Sequence, residues 1–402
     1  MKNSKNLALY ILGVVAVLAL PIFLQSQGNA WVRIADIALL YVLLALGLNI
    51  VVGYAGLLDL GYVAFFAVGA YLFALMGSSH LSDTFPWFKA MFPNGLHTSL
   101  LIVIPLALVV AGVLGVLLGA PTLKLRGDYL AIVTLGFGEI IRVFLNNLDH
   151  PVNITNGPKG ITSIDSIKFW GLDLGKSWKF DGFTISSVTL YYYLFLALVI
   201  ATVIISHRLQ VSRIGRAWMA IREDEIAAKA MGINTRNMKL LAFGMGASFG
   251  GVSGAMFAAF QSFVSPESFS LMESVMIVAM VVLGGIGHLP GVILGAVLLA
   301  ALPEVLRYVA GPLQSMTDGR LDASILRQLF IALAMIVIML VRPRGLWPSP
   351  DHGKTLTKKG SVPVDPAHAA VAPGSLQTHA PGVDTPADEV PGDASRPMSI
   401  NP

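Results

Sequence analysis

The sequence predicts an all-α, polytopic membrane protein with about ten transmembrane helices and both termini in the cytoplasm. Three observations carry that expectation. Of the 402 residues, 55% are apolar and only 12% charged, about half the charge of an ordinary soluble domain. Apolar windows of the length that crosses a hydrocarbon core of about 30 Å as helix recur along the chain. Lysine and arginine collect in some of the intervening segments and avoid others, the asymmetry that orients a membrane protein.

The spans fall at approximately residues 7–24, 34–52, 57–76, 99–120, 129–145, 189–206, 239–261, 272–286, 291–303 and 325–341. The first follows Lys2 and Lys5, but Pro21-Ile22-Phe23-Leu24 provides no small-residue cleavage site, so it reads as a membrane helix rather than a signal peptide. With the N-terminus inside, alternation puts residues 121–128, with Lys124 and Arg126, residues 207–238 and the tail from Arg342 in the cytoplasm. Between His207 and Lys239 lie Arg208, Arg213, Arg216, Arg222, Lys229, Arg236 and Lys239, whereas residues 262–271, placed outside, hold no basic residue. Residues 146–188 carry four lysines outside, offset by four aspartates and lying away from the span ends.

The chain is read as a transmembrane domain over residues 1–345 and a disordered Pro/Ala-rich cytoplasmic tail over 346–402. From Gly345 onward ten of 58 residues are proline and aromatics vanish after Trp347, a composition that cannot bury enough apolar surface to fold. His352, His368 and His379 are too dispersed there for a metal site.

Several kinds of chemistry are excluded. No cysteine occurs, so no disulfide framework, thiolate metal site or cysteine nucleophile is available. A net charge of +4 spread between apolar runs does not make a nucleic-acid surface. The nearest match to a phosphate-cradling loop, Gly171-Leu172-Asp173-Leu174-Gly175-Lys176-Ser177, is one residue short and falls in a segment placed outside. Neither a His-Glu-x-x-His zinc signature nor a Gly-x-Ser-x-Gly elbow is present. No catalytic, metal or cofactor site is expected, and transport energy must come from an ion gradient or another subunit.

Two clusters interrupt apolar sequence with glycine and polar groups: Gly53-Tyr54-Ala55-Gly56-Leu57-Leu58-Asp59-Leu60-Gly61 and Gly284-Gly285-Ile286-Gly287-His288-Leu289-Pro290-Gly291. Irregular backbone at membrane depth survives only where protein or a water-filled cavity satisfies it. One cluster in each half suggests a repeated architecture with broken helices around a central path. The candidate path residues are Asn49, Gly53, Tyr54, Gly56, Asp59, Gly61, Gly284, Gly285 and Gly287. Among other ionisable groups in or near spans, Glu139 and Arg142 stand three apart and can pair on one helix face. Asp36 and Glu273 lie near span ends, within reach of the headgroups, and His288 sits in the second cluster.

The segment Arg222-Glu223-Asp224-Glu225-Ile226-Ala227-Ala228-Lys229-Ala230-Met231-Gly232 places acids at a helix start, Lys229 in the last turn and Gly232 as a stop. It predicts a two-turn helix, too short to be stable without packing on another surface. Small side chains at Ala227 and Ala228 would let it sit in a groove on a partner.

This segment, together with Gly53-Tyr54-Ala55-Gly56 through Gly61, Leu125-Arg126-Gly127-Asp128-Tyr129 through Arg142, Gly215-Arg216-Ala217, and Val282-Leu283-Gly284-Gly285-Ile286-Gly287, resembles the longer membrane permease of branched-chain amino-acid ABC importers over residues 30–345. The resemblance implies a bacterial inner-membrane subunit without its own ATPase site. Its implied partners are a second, shorter permease, two cytoplasmic ATP-binding subunits and an extracytoplasmic binding protein delivering leucine, isoleucine or valine. It also implies that Arg222, Glu223, Asp224, Glu225, Ala227, Ala228 and Gly232 form the ATPase-coupling loop. The family's Glu-Ala-Ala-x-x-x-Gly pattern is met at Ala227, Ala228 and Gly232, while Ile226 replaces its acid and Glu225 lies one residue earlier. Permeases for urea, ribose or other sugars look similar and composition does not separate them; an ion-coupled secondary transporter and a membrane scaffold are the readings from other classes.

Overall fold

Apolar chain at membrane depth must satisfy its own amides and carbonyls, and helix is the local way to do so. The computed structural model describes residues 2–123, 125, 127–169, 172–180, 183–316, 329, 332–333, 335–337, 340–342 and 345–347. Among them are thirteen α-helices: α1 (Lys2–Gln27), α2 (Asn29–Asn49), α3 (Val63–Met76), α4 (His80–Thr84), α5 (Pro86–Met91), α6 (Leu100–Thr122), α7 (Asp128–Asn147), α8 (Ser187–Val211), α9 (Arg213–Glu223), α10 (Glu225–Ala230), α11 (Thr235–Gln261), α12 (Leu271–Gly284) and α13 (Leu289–Met316). Five stretches are long and apolar enough to cross a membrane: Asn29–Tyr54, Leu101–Thr122, Ser187–Val211, Thr235–Gln261 and Leu289–Leu306. Val15–Gln27, α3 and α12 are shorter apolar helices.

The centre of the bundle is α11, which packs on α2, α3 and α6. Its small residues Gly244, Ala247, Gly251 and Gly254 recur at three- and four-residue spacing on one side. Lipid supplies no hydrophobic drive between helices, so association depends on close backbone approach. A Cβ on Gly69 of α3 would collide with the backbone of Gly251, and one on Gly254 with the Phe66 carbonyl. Large apolar side chains face outward instead, among them Leu101, Val109 and Leu117 on α6 and Ile132, Ile140 and Phe144 on α7.

Four expectations are corrected. The third span does not start at residue 57: residues 55–62 are non-helical, and α3 begins at Val63, because Asp59 Oδ1 accepts the Gly61 amide at 2.9 Å and turns the chain. The sixth span does not stop at 206 but runs to Val211, and most of the expected loop after it is α9 and α10. Helix α9 carries Ile214, Trp218 and Ile221 at helical spacing under a Ser212 cap, and Trp218 is wholly buried, its indole N–H donating to the Met238 carbonyl at 2.7 Å. The eighth span stops at Gly284, where Gly285 turns with a φ of 119°. Asp36 and Glu273 turn into the protein instead of outward: Asp36 is fully buried, and Glu273, half-buried, accepts the Tyr41 hydroxyl at 2.9 Å. The span expected at 325–341 and the tail 348–402 lie largely or wholly outside the described residues.

Outside the helices, Ile161–Thr162 pairs antiparallel with Phe263–Val264, tying the long segment before α8 to the end of α11. Within the described residues 172–177 the Gly175 amide and Lys176 ammonium both turn to Asp173, at 2.9 and 3.8 Å. Glu139 and Arg142 pair at 3.0 Å as their spacing requires, and Arg142 also reaches Glu267 at 3.4 Å.

Candidate functional site

The two glycine clusters, more than two hundred residues apart in the chain, meet. Helix α2 does not end cleanly at Asn49 but opens into a π-helical turn, Ile50–Tyr54, a wider turn that recurs at functional sites. Asn49 Oδ1 accepts the Gly287 amide at 2.9 Å. A Cβ on Gly53 would collide with that same Oδ1 and with the Gly287 nitrogen, so the approach requires glycine at 53, and Gly287 turns with a φ of 83° that a side chain rarely adopts. Arg222, at the end of α9, donates from Nη1 to the Gly53 carbonyl at 2.5 Å, and its aliphatic stem lies against Gly56.

Of the nine candidate path residues, Asn49, Gly53, Gly56 and Gly287 therefore share this junction, with Tyr54 buried beside it. The other four pack elsewhere. Gly284 lies against Gly291, Gly285 against Gly345, and the Leu346 and Trp347 amides donate to the Leu283 and Gly284 carbonyls. Gly61 lies against the Thr134 backbone on α7, and the Thr134 hydroxyl accepts the Leu60 amide at 3.0 Å. Asp59 is buried in this second contact, facing a cavity of about 10 Å³, room for one water at most. His288 is bonded through Nδ1 to the Trp347 carbonyl at 2.9 Å.

The expected two-turn helix is α10. Asp224 caps it, its Oδ1 accepting the Ile226 and Ala227 amides at 2.8 and 3.0 Å, and Gly232 follows it with a φ of 85°, a conformation that a side chain rarely adopts. Its orientation corrects the expected groove contact: Ala228 is 4% exposed, turned into the chain itself, while Ile226 and Met231 are 70% and 83% exposed. Ala227 and Glu223 are exposed too, and Arg222 turns inward to Gly53. Helix α10 is held by one ion pair that the sequence reading missed: Lys239 Nζ lies 2.7 Å from Glu225 Oε2, with the lysine side chain 8% exposed. A lysine at the start of an apolar span was the available signal. Arg222, Glu225, Lys239 and Asp128 line a cavity of about 250 Å³ that also touches Gly56.

The arrangement links an exposed apolar helix face, through α9 and one guanidinium, to the end of the most buried span. It can transmit displacement; it holds no constellation for bond chemistry. The family model described as branched-chain amino acid transport system / permease component matches residues 31–340. The chain is 41% identical over 357 residues to the high-affinity branched-chain amino acid transport system permease protein LivM of Salmonella typhimurium strain LT2, covering 86% of this chain and 75% of that protein. It is 40% identical over 350 residues to LivM of Escherichia coli strain K12, with 83% and 74% covered. The permease protein LivH of the same E. coli strain is 25% identical over 336 residues, 83% of this chain and 97% of LivH. No solved structure matches the chain. The chain is a multi-pass membrane protein and belongs to the family of permease components of branched-chain amino acid transport systems.

Proposed function

We propose that this chain is one of two paired permease subunits of an ATP-binding-cassette importer in the bacterial cytoplasmic membrane, and that it moves leucine, isoleucine and valine inward. In this reading it has about ten spans with both termini in the cytoplasm. Residues 1–345 form the transport domain and residues 346–402 an appended tail, of which residues 348–402 are dispensable for transport. Two separate cytoplasmic subunits hydrolyse ATP, and an extracytoplasmic binding protein delivers the amino acid. Asn49, Gly53, Tyr54, Gly56 and Gly287 wall the path at its closed cytoplasmic end, and Asp59, Gly61, Gly284 and Gly285 brace that wall from the neighbouring helix contacts.

The observation that carries this reading is the Asp224-capped helix α10, presenting Ile226 and Met231 to solvent while the adjoining Arg222 bonds the Gly53 carbonyl. Two large apolar side chains on a short charged segment suit a partner surface. A hydrogen bond from a charged group contributes about 1.5–3 kcal/mol, enough for a partner that displaces α10 to shift the junction's populations by tenfold or more. Arg222, Glu223, Asp224, Glu225, Ala227, Ala228 and Gly232 then act together: Ala228 and Glu225 seat the helix, Asp224 and Gly232 delimit it, and Arg222 carries its movement inward.

The test is Ile226→Glu with Met231→Glu, made in the complete importer. Both side chains already face solvent, so the permease should insert at normal abundance, yet it should no longer co-purify with its ATPases or support leucine uptake. Normal ATPase retention with normal uptake would remove α10 from the mechanism.

A further inference from the structure

The cavity that best matches an amino acid lies away from both glycine clusters. It has a volume of about 250 Å³ and sits between α2, α3, α11 and the start of α12, at Tyr41, eight residues before Asn49. At 1.5 Å per residue that is about 12 Å further along the helix than the packed junction, toward the end of the bundle where α11 stops at Gln261 and α12 begins. At roughly 30 Å³ per water molecule, the space equals about eight waters, a volume suited to one small amino acid.

Its wall and its polar end differ in chemistry. Ile37, Leu40, Phe66, Phe257 and Phe260 form the apolar side. Phe66 and Phe257 stand 5.2 Å apart and both pack on Phe269, a third ring behind them, so the wall is rigid before any ligand arrives. At the polar end Glu273 accepts the Tyr41 hydroxyl at 2.9 Å, and among the described residues no cation pairs with it. Gln261 also lines the cavity, and its Oε1 accepts Arg33 Nη2 at 2.5 Å. Arg33 lies over the Phe260 ring, 5.3 Å from its centre, which holds its guanidinium beside two of the lining residues, Phe260 and Gln261.

A carboxylate without a cation, an amide–guanidinium pair and an aromatic-aliphatic wall complement an ammonium, a carboxylate and a branched alkyl chain in one ligand. We propose that this cavity is a substrate site of the permease for a zwitterionic aliphatic amino acid. Glu273 receives the ammonium, Gln261 and Arg33 face the carboxylate, and Phe66, Phe257 and Phe260 enclose the side chain. The proposal rests on the import of branched-chain amino acids put forward above. It adds that the permease itself recognises the amino acid after the binding protein releases it.

The probe is tritiated L-leucine. Equilibrium binding is measured on the detergent-purified importer without binding protein, and uptake in proteoliposomes with it, both normalised to the amount of assembled complex. Wild type should bind leucine saturably, with 4-methylpentanoate, which lacks the ammonium, at least tenfold weaker as a competitor. Glu273→Gln keeps the size and the Tyr41 contact and should weaken binding tenfold or more, with Glu273→Asp restoring part of it. Phe257→Trp, which fills the cavity without touching a charge, should abolish binding. Saturable binding unchanged in both Glu273→Gln and Phe257→Trp overturns the site while import of leucine stands, as does leucine uptake by a wild-type importer that shows no saturable binding. An importer that takes up no leucine overturns the transport reading and this site with it.

Discussion

Removing the Lys239 ammonium should release helix α10 from the body of the protein. The ion pair with Glu225 is short, 2.7 Å, and its lysine is 8% exposed, while the glutamate is 31% exposed. Deleting one partner of a fully buried pair costs about 3–5 kcal/mol because the other charge is stranded. Glu225 keeps water on one side, so solvent takes up part of that cost and about 2 kcal/mol is expected for Lys239→Met. The protein contains no cysteine, which makes Ala228→Cys the sole thiol in the chain, placed where the native side chain is 4% exposed. In this background maleimide labelling reports the opening of α10. At about 1.4 kcal/mol per tenfold, Lys239→Met should raise the labelling rate roughly 30-fold. Cysteine at the exposed Ala227 should label fast in both backgrounds, and adding Glu225→Gln should return part of the protection because no charge is then left unpaired. A labelling rate at position 228 that changes less than twofold on Lys239→Met would refute the claim that this ion pair holds the helix.

Ala228→Trp should act on the permease's own packing before any partner is involved, costing about 1–3 kcal/mol by overpacking; a lowered melting temperature of the isolated chain in detergent checks this. Gly53→Ala puts a methyl group into Asn49 Oδ1 and the Gly287 nitrogen, so it should lower both melting temperature and uptake, whereas Gly136→Ala, with open space around its Cα, should leave both within error. On the loop before α6, His97 bonds the Asp165 carboxylate, and that contact raises its pKa above the ordinary 6.5. A raised native pKa stabilises the loop fully below the unfolded value and progressively less as pH climbs through the native one. Proteolytic nicking of residues 92–99 should therefore quicken above about pH 6.5 in wild type and show no such pH step in His97→Gln.

Most of the helices could be read directly from hydropathy because a bilayer imposes a one-dimensional rule: a run of apolar residues of sufficient length is a helix wherever it falls. The same rule failed where its premise does. Residues 57–62 are apolar enough to be counted into the third span, yet the Asp59–Gly61 turn is a local hydrogen bond between side chain and backbone that hydropathy does not weigh. Helix α9 was hidden by the opposite error, since its arginines marked a basic loop while Ile214, Trp218 and Ile221 carried a helical period beneath them.

The ends of α10 were legible for the reason that caps are: Asp224 and Gly232 act on backbone within a few residues of themselves. Which way the helix faces was not, because Ala227 and Ala228 are chemically identical and contacts with other helices, the Lys239 ion pair among them, accompany the burial of one of them. Glu273 was visible as an acid near a span end, but its partner Tyr41 lies 232 residues away, and nothing local distinguishes a headgroup contact from the polar end of a cavity.

The sequence by itself determined the solvent, a bilayer, the existence of the long apolar helices and the two places where glycine breaks them, since each of these follows from composition within a window of a few turns. Only the tertiary structure decided that Gly53 and Gly287 touch, that Arg222 reaches them from α9, and that Tyr41, Gln261 and Glu273 line one cavity. Those contacts join residues on different helices, and the small-residue packing along α11 that sets their register is a property of facing surfaces, which no single stretch of chain contains.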